Sequence, residues 1–534
     1  MILTIQVLVL LLAVVAAVAV LANRLKIPPA ILLVLTGVLL ALVPGLPSVE
    51  LAPDLVLLLI LPPFIYTSAF QMSWREFQFN LRPITLLSVG SVVFTTVTVA
   101  AAVHSLMDIE WPVGFVLGAI VSPPDAIAPL SIARRMHIPR RIIVVLEGEG
   151  LANDATALIL YRFAIVAVIL GVFSFGEAVG EFVAIVVGEI LWGIGTGWLM
   201  LRLRRWVNDP LIEILLSVLT PFLAFWPPAH LGGSGVLATV AAGLYTSWNG
   251  PQLISPATRL QGVFFWEFFT YVLEGMVFLI TGLQARTVIS RISDYSISDL
   301  AISVAVVTAS VILARFVWVF PATYLPRWIF PAIKRKDPSP PWQWVFLLAF
   351  TGVRGIVSLA AALAIPFVIV TGEPFPHRDL ILFLTFAVIL ITLVGQGLML
   401  PWVIEWLGLF QAGRNEREIN RAAELQARSE AVRSANKRLD RLATEQNLAP
   451  DVVHAIRAQH EDRLKHNGAD FVEGHGQLHD QIERLLIEAE RTRVNELFRS
   501  GKLTDEARRR IERELDLREA HLANQTFDQE TPRR

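Results

Sequence analysis

The sequence predicts an all-α polytopic membrane protein followed by a charged helical tail, and three observations predict it. Of 534 residues, 54% are hydrophobic and 17% are charged, with a mean hydropathy of +0.58. A soluble chain of this length would divide into several domains, each needing a polar coat that this composition does not supply. The charge is also uneven: residues 1–410 hold 44 Lys, Arg, Asp and Glu, and the last 124 residues hold 47. Finally, apolar stretches of about 20 residues, long enough to cross a bilayer as helices, recur along the first 410 residues and stop there. Basic and acidic residues nearly cancel, at 45 against 46, so no overall field favours nucleic acid. The absence of cysteine excludes disulfides, thiol catalysis and thiolate metal sites.

In order, the spans read as 2–22, 28–44, 51–70, 83–106, 112–133, 142–171, 178–201, 210–228, 233–247, 262–285, 297–325, 341–370 and 379–407, about thirteen in all. The first lacks a basic leader and is followed by Arg24 and Lys26, the reverse of a signal peptide, so it is expected to stay in the membrane. Lys and Arg in short loops are retained on the cytoplasmic side. With the N-terminus outside, sixteen basic residues fall in inward loops and three, Arg286, Arg291 and Arg378, in outward ones. The expected organisation is a transmembrane domain over 1–410 and a cytoplasmic helical tail over 411–534, in the cell (inner) membrane.

Ionisable groups at bilayer depth are costly and mark ion or proton paths when they face the protein interior. Span five reads GAIVSPPDAIAP over residues 118–129. Pro123, Pro124 and Pro129 each remove a backbone donor and clash with the preceding turn, which predicts an unwound segment. Freed carbonyls, half-helix dipoles and the Asp125 carboxylate would there assemble a midplane cation site; a kinked helix with a capping Asp is the plainer reading. Span six begins LEGEGLANDA over 146–155. Glu149 and Asn153 fall four apart on one helical face, as do Gly150 and Asp154. A carboxylate at that depth can hold either a proton or a cation, although an Asn-Asp pair bonding between helices needs no transport.

Span twelve carries FTGVRGIVSLAA over 350–361, where Gly352 and Gly355 flank Arg354 and permit local unwinding. Spans five and twelve lie seven apart, hence in opposite orientation. That offset predicts an inverted repeat of spans one to six in spans eight to thirteen, with the two broken helices crossing at the ion site. Glu267 and Glu274, seven apart on span ten, are expected to support the site, pairing with Arg315 or lining the vestibule. Glu147, Arg162, Glu181, Glu189 and Glu213 receive no role.

At residues 122–126 and 147–154 and at Arg354, taken together, the sequence resembles the monovalent cation/proton antiporter superfamily, in its electroneutral branch of bacterial sodium/proton antiporters and plant and animal sodium/proton exchangers. The likeness covers nearly all of residues 1–410. It implies that Asn153 and Asp154 are the Asn-Asp pair of the electroneutral members, with Asp154 binding sodium or a proton. It implies equally that Asp125 carries over from the family's span five, and that Glu149 pairs with Arg354. Trp266 with Glu267, and residues 282–284, also look like the family's span ten. Four departures stand out: Pro124 replaces a Thr, Gly150 a Ser, Thr67 the Glu of some members, and Glu274 an Asn. Fewer side-chain oxygens leave sodium against potassium open.

The expected function is therefore secondary antiport of sodium, lithium or potassium against protons, serving pH and sodium homeostasis. The ion and proton site is Asp154, Asp125, Asn153 and Ser122, with sodium at Asp154 and Asp125. Glu149 and Arg354 are expected to form a bracing salt bridge, and the resemblance implies a homodimer formed through the membrane domain. Besides that second copy, sodium, protons and membrane lipid are the expected partners, with no nucleic acid; no cofactor is expected, and the chain is not expected to be an enzyme. A cation channel or a membrane-embedded enzyme is the alternative. A hydrolase would need histidine at depth, yet His104, His137, His230 and His377 fall near span ends or in loops. In the tail, Leu425, Val432 and Leu439 recur seven apart and predict a short coiled coil at most. His454, His460, His466, His475, His479 and His521 there permit a pH sensor or are solvated surface groups.

Overall fold

The computed structural model describes residues 2–44, 52–171, 175–207, 209–250, 253–292, 295–370 and 372–445, with isolated positions beyond. Among these the structure is helical; the sole β feature is an isolated bridge between Val368 and Pro374. The helices are α1 (Ile2–Leu25), α2 (Pro29–Ala41), α3 (Leu55–Gln71), α4 (Leu81–Met107), α5 (Trp111–Val121), α6 (Ile127–Arg135), α7 (Arg140–Leu170) and α8 (Phe175–Arg204). After these come α9 (Pro210–His230), α10 (Val236–Asn249), α11 (Pro256–Leu283), α12 (Ile297–Ile329), α13 (Trp342–Phe350), α14 (Ile356–Leu363), α15 (Arg378–Trp406) and α16 (Leu409–Glu445). Eight of the described helices are long and apolar enough to cross a membrane by length and composition.

Contacts divide the chain into two units, Met1–Asn415 and Glu416–Arg534. In the first, local chemistry explains most boundaries. Pro29, Pro210 and Pro256 open their helices, where the missing N–H would be unsatisfied anyway. Ser73 caps a short helix over Trp74–Phe79, and Asp209, Ser255 and Ser296 cap α9, α11 and α12, each by accepting a backbone N–H bond. The α10 N-terminus has a different cap: the buried Glu189 of α8 accepts from the N–H groups of Gly235 (2.9 Å) and Leu237 (3.0 Å). Gly37 of α2 and Gly282 of α11 face one another so closely that a Cβ on either would meet the other's backbone.

Two helices of the core are interrupted. Residues 122–126 separate α5 from α6, and residues 351–355 separate α13 from α14. Both breaks fall where the sequence places proline or flanking glycine. Three further stretches widen to π-helix: Leu55–Ile60, Leu86–Ser91 and Ile391–Gln396. Such bulges shift the following side chains off the α-helical register. The largest apolar cluster draws on α5, α14 and α15, with Val116, Ile120, Leu359, Leu384 and Val388 fully buried, so both breaks rest on one packed block.

In the second unit, Arg457 pairs with Asp440, and Ile487 and Leu515 pack with Ile511. Leu439 is buried and His454 exposed. The side chains of Leu425 and Val432, and His460, His466, His475, His479 and His521, lie outside the described residues.

Candidate functional site

The two breaks meet. The backbone N–H of Asp125 donates to the carbonyl of Val353 at 2.6 Å, joining residues 228 positions apart. From α7, Asn153 donates its Nδ2 to the Pro124 carbonyl at 2.6 Å. Asp125 turns its Oδ1 back to cap the N–H of Ile127 at 2.8 Å and so starts α6. Its Oδ2 is buried without a hydrogen-bond partner, and so is the Oδ1 of Asn153. Gly355 lies against that carboxylate: a Cβ there would overlap Asp125 Oδ2 and Cγ. Gly150 abuts the break in the same way, since a Cβ would meet that of Ala126 at 2.8 Å.

Asp154, one residue beyond Asn153, is half-buried and makes no hydrogen bond or ion pair among the described residues. It lies close enough to Asp125 to sense its charge, as does Glu274 from α11. Ser122 is buried beside them; its hydroxyl donates to the Ala119 carbonyl at 3.1 Å.

The bracing pair differs from the expected one. Glu149 binds Arg315 of α12 in a two-pronged bridge, Nη1 to Oε1 at 2.5 Å and Nη2 to Oε2 at 2.9 Å, with both side chains buried. Arg315 also donates to the Leu348 carbonyl through Nε at 3.1 Å and Nη2 at 2.9 Å. Arg354, within electrostatic reach of both, gives its hydrogen bonds to the backbone instead. Its Nε reaches the Val121 carbonyl at 2.9 Å, its Nη2 reaches that of Ser122 at 3.5 Å, and its Nη1 donates to Gly352. The physical reason is position. Arg354 sits inside a break, where carbonyls that have lost their helical partners need donors, and a guanidinium offers five. Arg315, on an unbroken helix, can present its flat fork to a carboxylate.

Two more expectations need correction. Of the two roles expected for Glu267 and Glu274, pairing with Arg315 is not formed, because Arg315 is taken by Glu149; Glu267 is exposed and Glu274 is half-buried within electrostatic reach of Asp125. The carbonyls of the fifth span were expected to be free for a cation, yet those of Val121, Ser122 and Pro124 accept from Arg354 and Asn153. Sequence reading also missed Thr392, whose hydroxyl accepts the Arg354 N–H at 3.0 Å from the π-helical stretch of α15. No local signal marks it. Four carboxylates (Glu149, Asp125, Asp154, Glu274) face two guanidiniums here, so the region carries excess negative charge when all are ionised.

One consequence can be tested directly. Gly355→Ala should displace the Asp125 carboxylate and lower exchange in proteoliposomes by about tenfold or more, since small misplacements of binding groups carry penalties of that order. Its far-UV circular dichroism should match that of the parent. Parental exchange rates would contradict the placement of Asp125.

Broken helices that meet around carboxylates with unspent oxygens define a class: membrane proteins that carry a small cation. Residues 9–406 match the family described as sodium/hydrogen exchanger, transmembrane, and the chain belongs to that family. It is 36% identical over 530 residues to an uncharacterised Na(+)/H(+) exchanger of Mycobacterium tuberculosis, covering 96% of each chain. It is 35% identical to the sodium, potassium, lithium and rubidium/H(+) antiporter of Bacillus subtilis, over 71% of this chain and 58% of the other. Its fold resembles that of the sodium proton antiporter MjNhaP1 from Methanocaldococcus jannaschii, with a TM-score of 0.60 at 19% identity, covering 77% of this chain and 99% of the other. The chain is thus a multi-pass membrane protein of the monovalent cation/proton antiporter superfamily, and its function is cation/proton antiport.

Proposed function

We propose that Asp154 is the carboxylate that alternately binds a proton and a monovalent cation, with Asp125 and Asn153 completing the cation's shell and Ser122 and Glu274 beside it. The observation that carries this reading is the pair of buried, unpartnered oxygens, Asp125 Oδ2 and Asn153 Oδ1. Buried acceptors without a donor are uncommon and call for an occupant, and a cation supplies what two acceptors cannot give each other. Asp154 adds the charge. Glu149, Arg315 and Arg354 hold the frame.

Competition for a single carboxylate suffices for coupling: the site carries one proton or one cation, never both, so exchange is one for one and electroneutral. Sodium is the first cargo to test. The printed range of the Bacillus subtilis relative, sodium through rubidium, supports testing lithium and potassium beside it. The chain is taken to cross the cell membrane thirteen times, as an inverted repeat whose interrupted spans five and twelve meet at the site. The N-terminus lies outside, residues 411–534 form a cytoplasmic tail, and two copies pair through the membrane domain. The loop-charge asymmetry supports that orientation.

Purified protein in liposomes should collapse an imposed pH gradient when sodium, lithium or potassium is added, at a rate indifferent to membrane potential. If none of the three does so, the cargo assignment fails. Rates that follow the potential would overturn electroneutrality alone. Competition has a further signature. Below the midpoint of the site, the cation concentration for half-maximal rate should rise about tenfold for each pH unit lowered, because proton release must precede cation binding. A fall in maximal rate at constant half-saturation would mean that proton and cation occupy separate groups.

A further inference from the structure

Away from the carboxylates, the ends of α4, α7, α12 and α13 enclose a pocket of about 550 Å³, its open mouth included. Its polar end is lined by Arg82, Arg141 and Arg327, and all three converge on one acid, Asp337. Arg82 Nη2 lies 2.7 Å and Arg327 Nη2 2.6 Å from Asp337 Oδ2, while Arg141 Nη2 lies 2.6 Å from Oδ1. Three cations on one carboxylate leave two positive charges without a counter-charge. Other acids of this region are engaged elsewhere: Glu76, ahead of α4, by Arg140 at 2.8 Å, Glu147 of α7 by Arg134 at 2.7 Å, and Glu149 by Arg315.

The donors are not equally spent. Arg327 gives Nε to the Asp337 carbonyl and Nη1 to that of Thr323. Arg141 gives Nε to Asn80 Oδ1 at 3.0 Å and lays its guanidinium over the Phe79 ring. Arg82 Nη1, in contrast, is buried with no hydrogen-bond partner. A buried guanidinium nitrogen without an acceptor carries a desolvation cost that an anionic oxygen would remove. The remaining wall, formed by residues such as Leu86, Val145 and Trp344, is apolar.

We propose that this pocket binds a phosphate-bearing anion, and that its apolar wall selects the headgroup and upper chain of an anionic phospholipid. Excess positive charge at one end, an unspent guanidinium nitrogen and apolar walls match an amphiphile with an anionic head. Basic pockets between membrane helices are common stations for such headgroups. Because the four helices also carry Glu149, Arg315 and the second break, an occupant would tie together the frame of the transport site. The inference rests on the membrane-spanning reading but not on which cation is carried.

The test uses the full chain in a neutral detergent, with the thermal unfolding midpoint and native mass spectrometry as readouts. Phosphatidylglycerol should raise the midpoint and remain bound in the spectrometer, whereas phosphatidylcholine should do neither. Millimolar inorganic phosphate separates the sources: stabilisation by phosphate equal to that by phosphatidylglycerol would overturn the lipid assignment. Arg82→Gln, which leaves Asp337 two arginine partners, should weaken phosphatidylglycerol binding roughly fivefold, the effect of one arginine near an anionic headgroup. Arg82→Lys, which keeps the charge and loses the fork, should fall between the two. Equal retention of phosphatidylglycerol by the parent and both variants, or equal retention of phosphatidylcholine, would overturn the proposal.

Discussion

Asp154→Asn protein in liposomes should fail to dissipate a pH gradient on addition of sodium, lithium or potassium, with a loss of about a hundredfold or more. The substitution is nearly isosteric and leaves the Asn153 bond to Pro124 in place, so the break between α5 and α6 should persist. What disappears is the negative charge and the protonatable oxygen, and at bilayer depth an ion deprived of its counter-charge faces a penalty of several kcal/mol. Asp125→Asn is a graded comparison. Asparagine can still cap the Ile127 N–H that Asp125 now caps, so cation affinity should fall while residual exchange remains coupled to protons. Exchange by Asp154→Asn at parental rates would sink the assignment of Asp154.

The second large effect concerns the frame. Removing Arg315 leaves Glu149 buried without its partner, and breaking a buried ion pair from one side costs about 3–5 kcal/mol. Arg315→Gln and Glu149→Gln should therefore each lower the thermal unfolding midpoint sharply. The double substitution should be milder than the two single losses combined, because neither charge is then stranded. Arg354→Gln should act elsewhere. It strips donors from the carbonyls of Val121, Ser122 and Gly352 and should loosen the meeting of the breaks, showing first as slowed exchange. A midpoint unmoved by Arg315→Gln but collapsed by Arg354→Gln would restore the pairing expected from sequence.

Much of the candidate site was legible because the chain can place so few charges at depth. Asp125 and Asp154 stand out among apolar residues, the prolines around Asp125 forbid a continuous helix, and the glycines around Arg354 permit a break. Each of these rests on residues within one turn of each other. The partner of Glu149 was not legible in that way, since Arg315 and Arg354 both lie within spans and no local pattern distinguishes them. Arg315 lies 166 residues along the chain from Glu149. The same holds for Thr392, whose hydroxyl reaches Arg354 only because a π-helical stretch carries it. Glu267 and Glu274 share a helical face by spacing, yet one is exposed and the other senses Asp125.

By itself, the sequence determined the multi-pass membrane character of the chain, the positions of both helix breaks and the two aspartates proposed to hold the cation. These follow from composition, from the period of an α-helix and from the backbone chemistry of proline and glycine, all of which act locally. Only the tertiary structure decided which arginine neutralises Glu149, which carbonyls are already occupied, and that Glu274 joins the acidic group. Those outcomes depend on where separate helices pack. Several partners satisfy the same charge on paper, and the distance and angle at which a guanidinium arrives determine which one does.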